Sequence, residues 1–169
     1  MRSALTLEQI INFLLDAPMF GDLDSGELSR IVHIMQVKSL VAGQVVFQEG
    51  DPGDAWYVVY SGELAVTKRR KRIARLVQGS CFGEIAILDG SPRSATVSAV
   101  SDGIAFRFPR TAFADLLVAG NLAAYKLVHQ IALVLAARQR TTTSCLVELM
   151  GEGDDGPLAA LVHESAVRE

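Results

Sequence analysis

The chain has 169 residues, half of them hydrophobic and 21% charged, which is enough length and apolar content for one ordinary globular domain with a full core. Sixteen basic and 19 acidic residues leave a formal charge of -3, which argues against a general nucleic-acid binder. The N-terminus lacks the charged, apolar, small-residue order of a signal peptide, and no uncharged apolar run is long enough to span a bilayer, Ile131 to Ala137 being too short.

Residues 5 to 19 place Leu5, Leu7, Ile10, Ile11, Phe13, Leu14 and Leu15 at helical spacing, with Pro18 and Gly21 closing the run. Asp24 stands three residues before Glu27, a capping box that starts a second helix with Leu28, Ile31, Val32 and Met35 inward. From Gln36 the pattern changes to short β-type runs at Val37–Val41, Val45–Phe47, Trp56–Tyr60 and Glu63–Lys68. Gly43, the turn from Glu49 to Asp54 and Ser61-Gly62 separate them, and near-even spacing of this kind suggests a barrel or jelly roll. Lys68 to Arg72 are five consecutive cations between two β runs. As a hairpin tip they are solvated and splayed by like charge, or they attract an anionic partner.

The stretch from Cys81 to Ala99 carries the most chemistry. A strand-like approach ends at Gly83, and Glu84 to Leu88 form a short helical run. The turn Asp89-Gly90-Ser91-Pro92 then presents Arg93 ahead of an alternating run, Ala95, Val97 and Ala99. A helix N-terminus favours negative charge, a glycine admits close backbone approach, and an arginine fork matches phosphate oxygens in pairs. A carboxylate in the same pocket repels phosphate but accepts from a ribose hydroxyl. The combination points to a phosphorylated sugar.

After the turn Ser101-Asp102-Gly103, Ile104 to Phe108 read as the last strand and Arg110 to Val118 as a short helix. Asn121 caps a longer helix over about 122 to 140 that is apolar nearly all round in its middle. One side is expected on the barrel and the other on a second copy across a two-fold axis. Arg138 to Thr143 weaken the helix, Leu146 to Leu149 resume a turn or two, Gly151 to Gly156 read as a linker, and Pro157 to Val167 form a last short helix. Cys81 and Cys145, far apart and without an export signal, fit a reducing cytoplasm and act as small hydrophobes. His33, His129 and His163 have no metal-like spacing, and no nucleophile–base–acid set stands out, so neither a metal nor catalysis is expected.

The stretch Phe82-Gly83-Glu84-Ile85-Ala86, followed after a short helix by Pro92-Arg93-Ser94-Ala95, resembles the phosphate-binding cassette of the cyclic nucleotide-binding domain family. That family includes regulatory subunits of cAMP-dependent protein kinase and the sensor domain of the bacterial catabolite activator protein. The order Gly-x-x-x-Phe-x-Glu-Gly-Asp and then Trp-Tyr-Val-Val-x-x-Gly-Glu-Leu-x-Val, from Gly43 to Val66, is similar to the family's turns. The resemblance extends over roughly residues 20 to 118.

The resemblance implies an α+β fold, an eight-stranded antiparallel jelly-roll barrel flanked by N-terminal helices and a long C-terminal helix. Residues 1–140 make the cyclic nucleotide-binding domain with its lid and dimer helix, and 141–169 a tail. Arg93 is implied to pair with a cyclic phosphate, with a structural Arg93–Glu84 ion pair as the alternative. Glu84 is implied to accept from the ribose 2′-OH, the alternative being an acid that merely favours the helix dipole. Phe82, Gly83, Ile85 and Ala86 line the cassette, Ser94 and Ala95 close the phosphate's other side, and Val66 and Ile73 wall the base or are ordinary core. Arg138, Thr141 and Thr142 fall where the family's lid covers the base, or form an exposed polar helix end.

The expected ligand is cAMP ahead of cGMP, with no further cofactor, and binding draws the cassette helix inward to signal to a partner protein. Only 29 residues follow Arg140, in an acidic and Gly-rich segment, so a DNA-reading helix-turn-helix is not expected. A nucleotide-free dimerisation module on the same fold is the competing reading.

Overall fold

The computed structural model describes residues 5–150. The expected linker from Gly151, the last short helix and His163 lie outside the described residues.

Helix α1 spans Leu7–Asp16 behind a capping box in which Thr6 accepts from the Gln9 amide and the Gln9 side chain accepts from the Thr6 amide. It ends before the expected Pro18 because proline holds its predecessor extended, and Ala17 has φ -82° and ψ 129°. A 3₁₀ turn, Pro18–Phe20, takes up the rest of the predicted run. Helix α2, Ser25–Val32, starts on the Asp24/Glu27 capping box, with Leu28, Ile31 and Val32 buried. Met35 lies beyond it and is only half-buried.

Among the described residues eight strands follow: β1 Gln36–Leu40, β2 Val45–Phe47, β3 Ala55–Ser61, β4 Leu64–Lys68, β5 Lys71–Leu76, β6 Cys81–Phe82, β7 Thr96–Ala99 and β8 Gly103–Pro109. They form two antiparallel four-stranded sheets, ordered β1-β8-β3-β6 and β2-β7-β4-β5, the two halves of a jelly roll. Between β6 and β7 lies the one-turn helix α3, Ile85–Leu88. Helices α4, Arg110–Val118, and α5, Leu122–Met150, complete the described chain.

Strand β3 shows why the sequence folds this way. Ala55, Trp56, Tyr57, Val58 and Val59 are all buried, so both faces of this sheet are covered. Ala55, Tyr57 and Val59 point into the roll with Leu40, Leu64, Phe82, Val97 and Ala105. Trp56 meets an aromatic layer of Phe20, Phe108 and Phe113, next to which Phe13 packs on Phe106. The cassette therefore hangs on a strand clamped from two sides.

At the basic hairpin, like charge does not splay the tip. Lys68 pairs with Lys71 across the ladder, and Arg69 and Arg70 close it as a two-residue turn at φ 49° and 64°. Those angles belong to the I′ turn whose twist matches paired strands.

The chain divides into two compact units, one ending at Ala132 and the next starting at Leu133, so α5 belongs to both. In the first unit Asn121 caps α5 through the Ala124 amide (3.2 Å), and Ala123, Ala124, Leu127 and Ile131 are buried. Lys126 bonds both oxygens of Glu27 at 2.8 and 2.7 Å, and Gln130 bonds Asp22. In the second unit α5 runs without the expected weakening. Thr141, Thr142 and Ser144 donate to the carbonyls four residues back, so these hydroxyls are satisfied within the helix rather than competing to end it. Among the described residues, no single helix is long and apolar enough to cross a membrane.

Candidate functional site

Among the described residues two charged side chains are buried, Glu84 and Arg93, 2% and 3% exposed. Burying a charge costs several kcal/mol unless partners replace its water, so the surroundings of Arg93 are instructive. Its backbone is locked to the turn of residues 49–54: Gly50 donates to the Arg93 carbonyl (2.9 Å) and Arg93 donates to that of Asp51 (2.8 Å).

The guanidinium is held by three acceptors. One Nη donates to the Gly83 carbonyl at 2.9 Å. The other donates to the Ala55 carbonyl at 2.6 Å and to Asp54 Oδ1 at 3.0 Å. Its carbon sits 4.1 Å from the centre of the Phe47 ring. The buried Nε makes no hydrogen bond. Arg93 is thus anchored on its two Nη nitrogens while the third nitrogen, Nε, stays uncommitted.

Asp54 is the hinge of this arrangement. Its second oxygen accepts from Arg107 at 2.6 Å, and Arg107 also donates to Gln36 at 3.0 Å. Partial burial pushes the Asp54 carboxyl up, but the Arg107 hydrogen bond and the charges of both arginines outweigh that and hold it below its usual range. Asp54 therefore stays ionised down to acid pH and keeps Arg93 oriented.

Gly83 has φ +77°, a conformation that suits glycine, and a Cβ there would lie 2.7 Å from the Arg93 guanidinium. Phe82 stacks on Tyr57 with centroids 5.0 Å apart, fixing the strand that leads into Gly83. Glu84 is the N-cap residue of α3. Ala86 and Ala95 are buried, Ile85 is partly exposed, and Ser94 is exposed. Val66 packs half-buried against the inner core, whereas Ile73 is 60% exposed beside the β-bulge at Val66/Thr67. Arg138, Thr141 and Thr142 lie on the part of α5 in the second unit, and the two threonine hydroxyls bond back along that helix.

Sequence reasoning missed Asp54 and Arg107. Asp54 read as one more turn residue, and its partners lie 39 and 53 residues away, beyond any local spacing. Among the described residues no group of three or more His, Cys, Asp and Glu side chains is placed to hold a metal ion.

Gly53 explains how α3 is set against the turn. A Cβ on Gly53 would fall 2.2 Å from that of Ala86. Gly53→Ala is therefore expected to cost about 1–3 kcal/mol by overpacking, read by urea unfolding. The double variant Gly53→Ala/Ala86→Gly should recover most of it. An unchanged midpoint in the single variant would show that the contact yields freely.

Comparison with known proteins follows the same segment. Residues 37–119 match the model of the cyclic nucleotide-binding domain. A cAMP-dependent protein kinase regulatory subunit of Hypocrea atroviridis is 36% identical over 106 residues, 63% of this chain and 23% of that protein. A cyclic nucleotide-binding domain from Methylobacillus flagellatus superposes with a TM-score of 0.77 at 25% identity, covering 88% of each chain. The regulatory domain of Toxoplasma gondii PKA, solved with cAMP, superposes with a TM-score of 0.59 at 33% identity, covering 64% of this chain and 43% of that one. The chain spans about a quarter of the length of the curated relatives it matches.

Proposed function

We propose, from the membership of residues 37–119 in the cyclic nucleotide-binding domain family, that this chain binds a cyclic purine nucleotide, cAMP ahead of cGMP, as a regulatory sensor. One observation carries the reading: a buried carboxylate and a buried guanidinium stand on either side of a one-turn helix, with a guanidinium donor left uncommitted. A phosphodiester anion is the partner that Arg93 Nε lacks. A ribose hydroxyl is the partner that lets Glu84 face the same ligand without repelling it. Gly83, Ile85, Ala86, Ser94 and Ala95 then approach the phosphate, Phe82 holds the cassette strand, and Val66 and Ile73 approach the base. Arg138, Thr141 and Thr142 are assigned to cover it.

Residues 1–140 act as the sensor and 141–169 as a tail. A cytoplasmic homodimer through α5 passes the change to a partner protein, by a population shift that rests on contacts made only in the closed state. The protein is read as a receptor and not as an enzyme. Turnover of cAMP by the purified chain would overturn that part.

The competing reading, a nucleotide-free dimerisation module, is favoured by the three internal acceptors that already hold Arg93. Isothermal titration with cAMP, cGMP and 2′-deoxy-cAMP separates the two. Glu84→Gln is expected to weaken cAMP about tenfold, the worth of one hydrogen bond to a charged group. The 2′-deoxy analogue should bind wild type poorly and lose nothing further in Glu84→Gln. No heat with any ligand, in protein freed of co-purified nucleotide, would favour the module.

A further inference from the structure

Away from the cassette, the roll has an open cleft of about 490 Å³. Lys38 and Ser39 of β1 line it, with Gln44 just before β2 and with Asp54, Tyr57 and Arg107. β1 and β2 are each the edge of their sheet, so the cleft marks where the two sheets part. No residue of the cassette lines it.

Its chemistry is one-sided. Lys38 and Arg107 bring positive charge, and Ser39 and Tyr57 bring hydroxyls. Gln44 Oε1 is taken by the Val41 amide at 3.1 Å, which leaves its NH₂ end to donate. The one carboxylate, Asp54, already serves Arg93 with one oxygen and Arg107 with the other. Asp54 is therefore shared between two arginines, and the lining keeps a positive surplus rich in donors. The volume falls in the range of small-molecule sites and is larger than a bare phosphate ion needs.

We propose that this cleft is a second anion site, built for a phosphomonoester and linked to Arg93 through Asp54. The anion engages Lys38 and Arg107. Drawing Arg107 toward itself, it leaves the Asp54 charge to Arg93 alone and adds a negative charge of its own nearby. Both changes oppose an anion at Arg93, so the two ligands weaken one another, reciprocally. The link, though not the cleft site, rests on the cyclic-nucleotide reading.

The test is a ¹⁵N NMR titration of the full chain with sodium phosphate and with glycerol 3-phosphate, ionic strength being held constant with chloride. Amide shifts are expected around Lys38–Gln44 and Arg107, with glycerol 3-phosphate saturating first. Lys38→Ala should weaken both anions about fivefold, the worth of one exposed charge contact, without changing the affinity for cAMP alone. Saturating glycerol 3-phosphate should weaken cAMP about fivefold in wild type and in Lys38→Ala, the low end of usual couplings, and not in Arg107→Gln.

Shifts confined to residues 82–95, or a Lys38→Ala protein that binds both anions like wild type, would overturn the site. Equal affinity for the two probes would overturn the ester and leave free phosphate. Shifts at the cleft in a protein that binds no cyclic nucleotide would sink the sensor reading and keep the anion site.

Discussion

Arg93→Ala is expected to lower cyclic nucleotide affinity by about tenfold or more, since the uncommitted Nε gives one charge-assisted bond to a phosphodiester at roughly 1.5–3 kcal/mol. The same change should lower folding stability. Arg93 satisfies the Gly83 and Ala55 carbonyls, and a buried acceptor left without a donor costs about 1–3 kcal/mol. Asp54 retains Arg107, so its charge is not stranded. The expected stability loss is therefore about 2–6 kcal/mol, from the two carbonyls and not from the ion pair.

Titration calorimetry and urea unfolding on one preparation measure both effects. Arg93→Lys sharpens the result. It keeps the charge and loses the fork, so it should recover part of the stability and little of the affinity. A variant that loses stability, in a protein whose wild type binds neither cAMP nor cGMP, would make Arg93 a structural clasp. What the clasp leaves unused is Nε, and binding reads that donor most directly.

What was legible in the sequence is what local chemistry writes. The Asp24/Glu27 box joins two residues three positions apart and starts α2 as read. The continuous apolar run of β3 and the alternation of β7 carry one strand of each sheet. Gly83 sits beside a buried arginine because both belong to one contiguous stretch. The less legible parts depend on partners brought from far along the chain, or on satisfied groups that propensity treats as competitors. Asp54 and Arg107 are joined only when β3 pairs with β8. The threonine run of α5 looks like a stop by propensity, yet its hydroxyls bond back to the helix and it continues. Five like charges at a tip suggest splaying, but the I′ turn and the ladder below it hold Lys68 opposite Lys71. Ile73, read as pocket wall or core, stands exposed next to a bulge, and sequence periodicity does not count bulges.

Trp56→Ala should be strongly destabilising, at about 3–5 kcal/mol. Trp56 is fully buried, lies nearly parallel to Phe108 with centroids 4.2 Å apart, and meets Phe20 and Phe113 at 6.1 and 6.0 Å. Deleting it opens a cavity between β3, β8 and the elements that cover them, and each lost aromatic pair adds about 0.5–1.5 kcal/mol. The indole Nε1 is buried without a hydrogen bond, so the indole also carries a cost of its own. Trp56→Phe removes that orphaned donor while keeping the stack. The smaller ring leaves a gap, and the two effects should nearly cancel, within about 1 kcal/mol of wild type. Urea unfolding followed by circular dichroism decides this, because Trp56 is the chain's single tryptophan and its fluorescence goes with it. A phenylalanine variant as unstable as the alanine one would mean that indole shape, not aromatic stacking, holds the layer. The consequence reaches the site through β3: Ala55 on one side of Trp56 accepts from Arg93, and Tyr57 on the other stacks on Phe82. A strand loosened at Trp56 lets both neighbours drift. Trp56→Ala should therefore weaken cyclic nucleotide binding even where it remains folded, whereas Trp56→Phe should not.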